Sequence, residues 1–393
     1  MKAASIPAEM TACVWRGGSG VETETVPVPE IGDGELLVNV EACGLCPTDI
    51  KKIDLGLAEP PVILGHEMAG VVVAAGQGAE EFLGKRVAVY HHIPCLKCRL
   101  CELGRYSQCA GYKKTGTTAG FLPAGGGWAE YVKVSSWIVS GGGVVEMPER
   151  LPVKVAILME PLNTCLKCTS TLPDSRGTAL ILGQGPVGLM LTALMHRDGW
   201  EVFAVEPLPE RQERSVRYGA KAVFHPGKDL NTNLQEIAPP LGPDTVIAAT
   251  ESEAAINAAL RALRPGGTLI LFAHTRIGQE LKIDAGQIGM AEKQVVGSYS
   301  SSVELNGLTK ETLVDQHFPW EEFVTHLFPL NEINQALALA RRPEGDSLKV
   351  AVTPDPGKAE SIESDDRGQR TEDKIPNFEN RNNCFTILTA STI

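Results

Sequence analysis

Thr178-Ala-Leu-Ile-Leu-Gly-Gln-Gly-Pro-Val-Gly-Leu-Met-Leu-Thr-Ala-Leu-Met195 decides the fold class. Thr178 to Leu182 is a short apolar run of the kind that forms a buried strand. After it come Gly183, Gly185, Pro186, Val187 and Gly188, and then apolar residues at helical periodicity. A G-x-G-x-x-G turn between strand and helix is a dinucleotide cradle. The first glycine turns the chain, the second admits a pyrophosphate to the backbone, and the third lets helix pack on strand. The helix start adds free N–H groups and a positive dipole end. The next apolar run, Glu201-Val-Phe-Ala-Val-Glu206, ends in a carboxylate suited to ribose hydroxyls. Its charge would repel a 2′-phosphate, which favours NAD over NADP, while Arg211 keeps NADP open.

The alternation continues downstream. Asp244 to Thr250 reads as a strand, Ser252 to Leu263 as a helix, and Thr268 to Ala273 as a strand, with Gln294 to Ser300 closing the sheet. This is a doubly wound parallel sheet of the Rossmann kind. Upstream the texture differs. Short apolar runs at 35–41, 70–75 and 86–90, separated by Gly and Pro, indicate a β-rich domain. Ser347 to Val352 reads as a strand returning to that first domain. The expected division is 1–153, 154–300 and a return over 301–354, with a disordered tail over 355–393. The β-prone end, Cys384 to Ala390, has no physical explanation in the sequence.

Of the ten cysteines, four stand as Cys95-x2-Cys98-x2-Cys101-x7-Cys109. Four thiolates on one lobe can surround a zinc ion with no position left for substrate, so such a site is structural. An iron–sulfur cluster is the alternative, but no wider ferredoxin pattern accompanies it. Cys165 and Cys168 form a lone C-x2-C that reads as helix core. The glycine-rich stretch 116–132 has no lysine placed as in a P-loop. It reads as a loop packed on the metal-bearing domain, with Phe121 or Trp128 lining a pocket as the alternative.

Between Cys43 and Gly70 stand Cys46, Thr48, Asp49, His66 and Glu67: a thiol, a hydroxyl, an imidazole and two carboxylates. Thiolate, imidazole and carboxylate together suit zinc, and fewer than four protein ligands leaves room for water or substrate. Glu160, followed by Pro161, opens a helix. On residue type alone it is a favourable charge at the helix dipole.

In 393 residues there is room for two cores, and 43% apolar content is ordinary for α/β proteins. A net charge of −12 argues against general nucleic-acid binding. There is no apolar run long enough to span a membrane and no secretory signal. A cytoplasmic, reducing location follows, where clustered cysteines hold metal rather than pair.

Taken together, Gly44-x-Cys46-x-Thr48-Asp49, Gly65-His66-Glu67-x-x-Gly70, the cysteine quartet, Glu160-Pro161-Leu162 and Gly183-x-Gly185-x-x-Gly188 resemble the zinc-dependent medium-chain dehydrogenases. Glu160, where alcohol dehydrogenases have cysteine, points to the sorbitol, threonine and glucose dehydrogenase branches. The resemblance implies a GroES-like catalytic domain beside the Rossmann domain, with two zinc ions per chain. Cys46 and His66 would bind the catalytic zinc, and of Glu67 and Glu160 one would bind it while the other holds the zinc-bound water or exchanges with it, which reverses the dipole reading of Glu160. Asp49 would orient His66, and Thr48 would start a proton relay. Cys95, Cys98, Cys101 and Cys109 would hold structural zinc. The implied reaction is hydride transfer from a secondary alcohol, foremost a polyol or sugar alcohol, to NAD. Threonine-type, aldose and simple alcohol substrates are alternatives, as is a homodimer or homotetramer for the assembly. Lys51 departs from the family pattern, because many relatives carry a relay histidine there. From other classes, a zinc-free reductase of the quinone-reductase kind and a non-catalytic NAD sensor remain; the intact ligand set opposes the former.

Overall fold

The structure is a computed structural model. It describes residues 6–358 apart from 113, 115, 122–124, 173–175, 228–229, 231, 233–240, 274–277 and 279. The expected disordered tail lies outside the described residues from 359 onward, and so does the Cys384–Ala390 ending. Residues 355–358 are described and include a short 3-10 turn, Pro356–Lys358.

Two compact units divide the described chain. One comprises 6–163 and 301–358, the other 164–300. In the second, a parallel six-stranded sheet has the order Ala220–Phe224, Glu201–Val205, Thr178–Leu182, Thr245–Ala248, Thr268–Leu271, Gln294–Gly297. Chain order runs outward from Thr178–Leu182 to one edge and then from it to the other, as in a doubly wound dinucleotide fold. The inner strands are continuous apolar runs because helices cover both faces. Leu180, Leu182, Phe203, Val205, Phe224, Val246, Ala259 and Leu260 are buried there as one core.

The first unit is built on a largely antiparallel sheet. Its central strands are Leu36–Gly44 and Glu67–Ala75, paired in antiparallel register with Gly44 opposite Glu67. Lys349–Thr353 returns from late in the sequence and pairs antiparallel with the former, Ala351 opposite Gly44. The end of one strand and the starts of two others therefore meet. Cys46, His66, Glu67 and Lys349 all come from that meeting point. The glycine-rich stretch packs on the chain just before His66. Gly126 N–H donates to Ile63 O at 3.1 Å, Gly127 to Gly65 O at 2.9 Å and Trp128 to Leu64 O at 3.1 Å. Trp128 is fully buried against Gly65, where a β-carbon would stand 2.4 Å from its ring.

Gly188 shows why the dinucleotide turn needs glycine. A β-carbon there would lie 1.9 Å from the carbonyl oxygen of Gly183. Gly188→Ala should lower stability by about 1–3 kcal/mol in denaturant unfolding. Gly227→Ala, where a β-carbon meets nothing within 4 Å, should change it by less than about 0.5 kcal/mol. Equal effects would contradict this packing.

Candidate active site

Leu45 and Cys46 follow the Leu36–Gly44 strand, and Cys46 caps the helix Pro47–Asp54. Its Sγ accepts the Thr48 N–H at 3.4 Å, and Pro47 at the first helical position needs no hydrogen-bond acceptor. The same helix carries Thr48, half-buried, and Asp49, fully buried. Asp49 Oδ1 lies 3.0 Å from His66 Nδ1. With Nδ1 donating to that carboxylate, His66 presents its Nε2 lone pair to a ligand, as metal-binding histidines do.

Ligand atoms of Cys46, His66 and Glu67 all lie within 4.8 Å of one another. Burial works against a charged His66, but the facing Asp49 carboxylate and Cys46 thiol outweigh it and raise its pKa well above the ordinary value. Burial likewise opposes ionised Asp49, and His66 reverses the balance and lowers it.

Glu67 is nearly inaccessible and pairs with the Lys349 ammonium, itself buried. Burial disfavours the lysine charge, and Glu67 restores and raises it. Gly44 makes this pair possible, because a β-carbon there would stand 2.2 Å from Glu67 Oε2 and 2.9 Å from Lys349 Cε. Lys349 is the residue of the candidate site that sequence reasoning missed. The signal was present: a lone charge inside the apolar stretch Leu348 to Val352.

Glu160 stands in the first turn of Met159–Thr169, outside the close trio. It still feels His66, Glu67, Lys349 and Asp49. Burial is the main influence, and it pushes the carboxyl up to about 7. Glu160 shares a crevice with Met68, Tyr90 and Met159.

In the cysteine lobe all four Sγ atoms lie within 4.8 Å of one another. Cys98 and Cys101 are 3.5 Å apart and Cys95 and Cys101 4.0 Å. Zinc–sulfur bonds of about 2.3 Å at tetrahedral angles give sulfur separations of about 3.8 Å. The quartet therefore fits one ion and not a pair of disulfides. Amide N–H groups also aim at the sulfurs, from Cys95 and Gly111 to Cys109 at 3.4 and 3.3 Å. The Lys97 amide is the largest of the influences that bring Cys95 down to about 6.

In the second unit Gly183 has φ of +85°, and Gly185 caps the helix Pro186–Arg197 with no side chain in the way. Val187 and Gly188 occupy its first turn, where backbone N–H groups lack helical acceptors. The Arg211 guanidinium lies 3.7 Å from where a Gly185 β-carbon would be. Such a cradle fits a pyrophosphate. Glu206 is buried rather than displayed. Its carboxylate accepts the Gln184 N–H at 2.6 Å and the Leu208 N–H at 3.1 Å, which props the glycine turn from beneath. Cys165 and Cys168 are buried and belong to the packing.

Residues 32–149 match the family model "Alcohol dehydrogenase GroES-like domain", and 186–313 match "Zinc-binding dehydrogenase". Together these matches take in more than half of the chain. The chain belongs to the zinc-dependent medium-chain dehydrogenases. It is an oxidoreductase that uses zinc and NAD(P). Among its relatives, sorbitol dehydrogenase of Bacillus subtilis is 28% identical, over 89% of this chain and 99% of that protein. L-threonine 3-dehydrogenase of Pyrococcus horikoshii is 29% identical, over 78% and 83%. A zinc-binding dehydrogenase of Sinorhizobium meliloti, solved with NADP, superposes with a TM-score of 0.78. It is 26% identical and covers 88% of this chain and 100% of its own.

Both His66, raised well above its ordinary value, and Glu160, at about 7, hold protons near neutrality that a bound cation displaces. Zinc affinity of metal-free protein should therefore rise from about pH 6 to about pH 8, with protons released on binding. A pH-independent affinity in equilibrium dialysis would contradict the assignment. Asp49→Asn should weaken zinc binding there on the order of 10–100-fold, read by competition with a chelator.

Proposed function

We propose that this enzyme oxidises a secondary hydroxyl of a polyol or sugar alcohol to a ketone, with NAD as hydride acceptor. One observation carries the reading: Cys46, His66 and Glu67 gather as a thiol, imidazole and carboxylate at one sheet end. Three such ligands leave a coordination position for substrate, unlike the closed quartet. The near full-length likeness to a sorbitol dehydrogenase supports the substrate class.

In this reading Cys46 and His66 hold the catalytic zinc, and of Glu67 and Glu160 one binds it while the other holds the zinc-bound water or exchanges with it. Bound there, zinc supplies Lewis acidity that lowers the pKa of an alcohol hydroxyl. Asp49 fixes the His66 tautomer through the 3.0 Å contact. Lys349 balances the charge of Glu67 and holds that carboxylate in place. Thr48, two residues beyond Cys46 on the capped helix, accepts the hydroxyl proton and passes it outward. The Gly183–Gly188 turn and its helix start hold the dinucleotide pyrophosphate, with Arg211 beside them. NAD, when bound, supplies the hydride acceptor. The negative charge of Glu206, although buried and held by two amides, supports NAD over NADP by repelling a 2′-phosphate.

A threonine-type amino alcohol is the second reading, favoured by the comparable likeness to L-threonine 3-dehydrogenase. No helix among the described residues is long and apolar enough to cross a membrane. We place the enzyme in the cytoplasm, where free cysteines keep their thiol form. We also assign a homodimer or homotetramer. The support is the edge strand Gln294–Gly297, largely exposed and carrying Val296, whose outer edge pairs with no strand among the described residues and could receive a second copy.

NADH formation should appear with sorbitol, xylitol or another polyol and stop after zinc is stripped by a chelator. Full activity in metal-free protein would end the zinc reading. L-threonine as the best substrate would select the second one. Cys46→Ser should abolish turnover while NAD still binds, as followed by calorimetry. Val296→Lys should reduce the assembly state in sedimentation if the edge strand pairs.

A further inference from the structure

A run of rings leaves the trio and ends at the cysteine lobe. The His66 ring lies 4.6 Å from that of His91, centroid to centroid. His91 is 3.9 Å from His92, and His92 is 5.5 Å from Tyr112. Tyr112 is 3% exposed and packs against Cys101 and Cys109. The backbone beneath the run is pinned on both sides. Tyr90 N–H donates to Gly143 O at 2.9 Å, Tyr90 Oη to Met159 O at 3.2 Å, and Trp137 Nε1 to Ile93 O at 2.9 Å. Tyr112 N–H is tied to Cys109 O at 3.0 Å, and its hydroxyl lies 3.4 Å from Ser301 Oγ.

We propose that His91 is a positioning residue for the His66 imidazole, and that His92 and Tyr112 brace it against the cysteine lobe, so that the lobe helps retain metal at the trio. The physical basis is packing. His66 is tied at its polar edge to Asp49 and Cys46, and contacts at the edge alone leave the face of the ring unsupported. The His91 ring, tilted 38° to that of His66 at 4.6 Å, packs against it and limits its rocking. His91 is itself partly exposed, so it needs support from behind, and His92 and buried Tyr112 supply it. Among the described residues His91 is not part of either ligand cluster, which separates this role from coordination. The inference rests on the zinc reading of Cys46, His66 and Glu67.

The test is release of zinc from the holoenzyme to a chelating dye, followed by absorbance. The phase that is absent from Cys46→Ser protein belongs to the trio, and the remaining phase to the quartet. His91→Ala should accelerate the trio phase on the order of 10-fold and leave the quartet phase unchanged. His91→Phe, which keeps a ring, should restore a rate near that of wild type. Tyr112→Leu should accelerate the trio phase by a smaller factor. Unchanged trio release from His91→Ala, with two zinc ions bound, overturns the proposal alone. Failure of His91→Phe to rescue overturns the packing basis. Tyr112→Leu acting on the quartet phase only overturns the brace. Wild-type protein holding only the quartet zinc overturns the zinc reading of the trio, and the proposal with it.

Discussion

Asp49, His66, Glu67 and Lys349 sit almost wholly out of water within a few residues of three strand ends. Buried charges persist only when each has a partner. Here Asp49 pairs with His66 and Glu67 with Lys349. The rest of the first unit serves that arrangement. Antiparallel register brings the strand ends together, Gly44 leaves room for the ion pair, and the glycine-rich stretch fixes the chain before His66 by backbone hydrogen bonds. Cys46, as the cap of a short helix, sets Thr48 and Asp49 in its first turn.

The dinucleotide half obeys a different constraint. Its requirements are almost all backbone: a left-handed Gly183, an unobstructed Gly185, and a Gly188 that touches the Gly183 carbonyl. That is why the motif was legible in one pass of the sequence. The two units were told apart by what separates their apolar runs, helical stretches in the second and Gly and Pro clusters in the first.

What the sequence concealed was contact between distant segments. His66 and Glu67 are neighbours, and Cys46 lies close in sequence, so their meeting could be anticipated from residue types. The quartet was legible because its spacing alone closes a tetrahedron. Lys349 could not be connected to Glu67, because only the register of the returning strand brings it there. The seat of Glu206 was hidden too. Its charge looked like a ribose ligand, and the structure adds a role in holding the glycine turn by two amides. Glu160 changes its meaning between helix dipole and metal site according to neighbours that helix periodicity does not disclose.

The position of Lys349 also bears on how the chain acquires its native state. The side chains of the trio are made first, whereas the lysine that neutralises Glu67 lies far downstream of it in the chain. Until the Lys349–Thr353 strand docks, Asp49 has His66 but Glu67 lacks its lysine partner, and such non-local pairing closes slowly. A metal ion can stand in for the missing positive charge during that interval. Zinc supply during biosynthesis would then govern the yield of folded protein as well as its later activity.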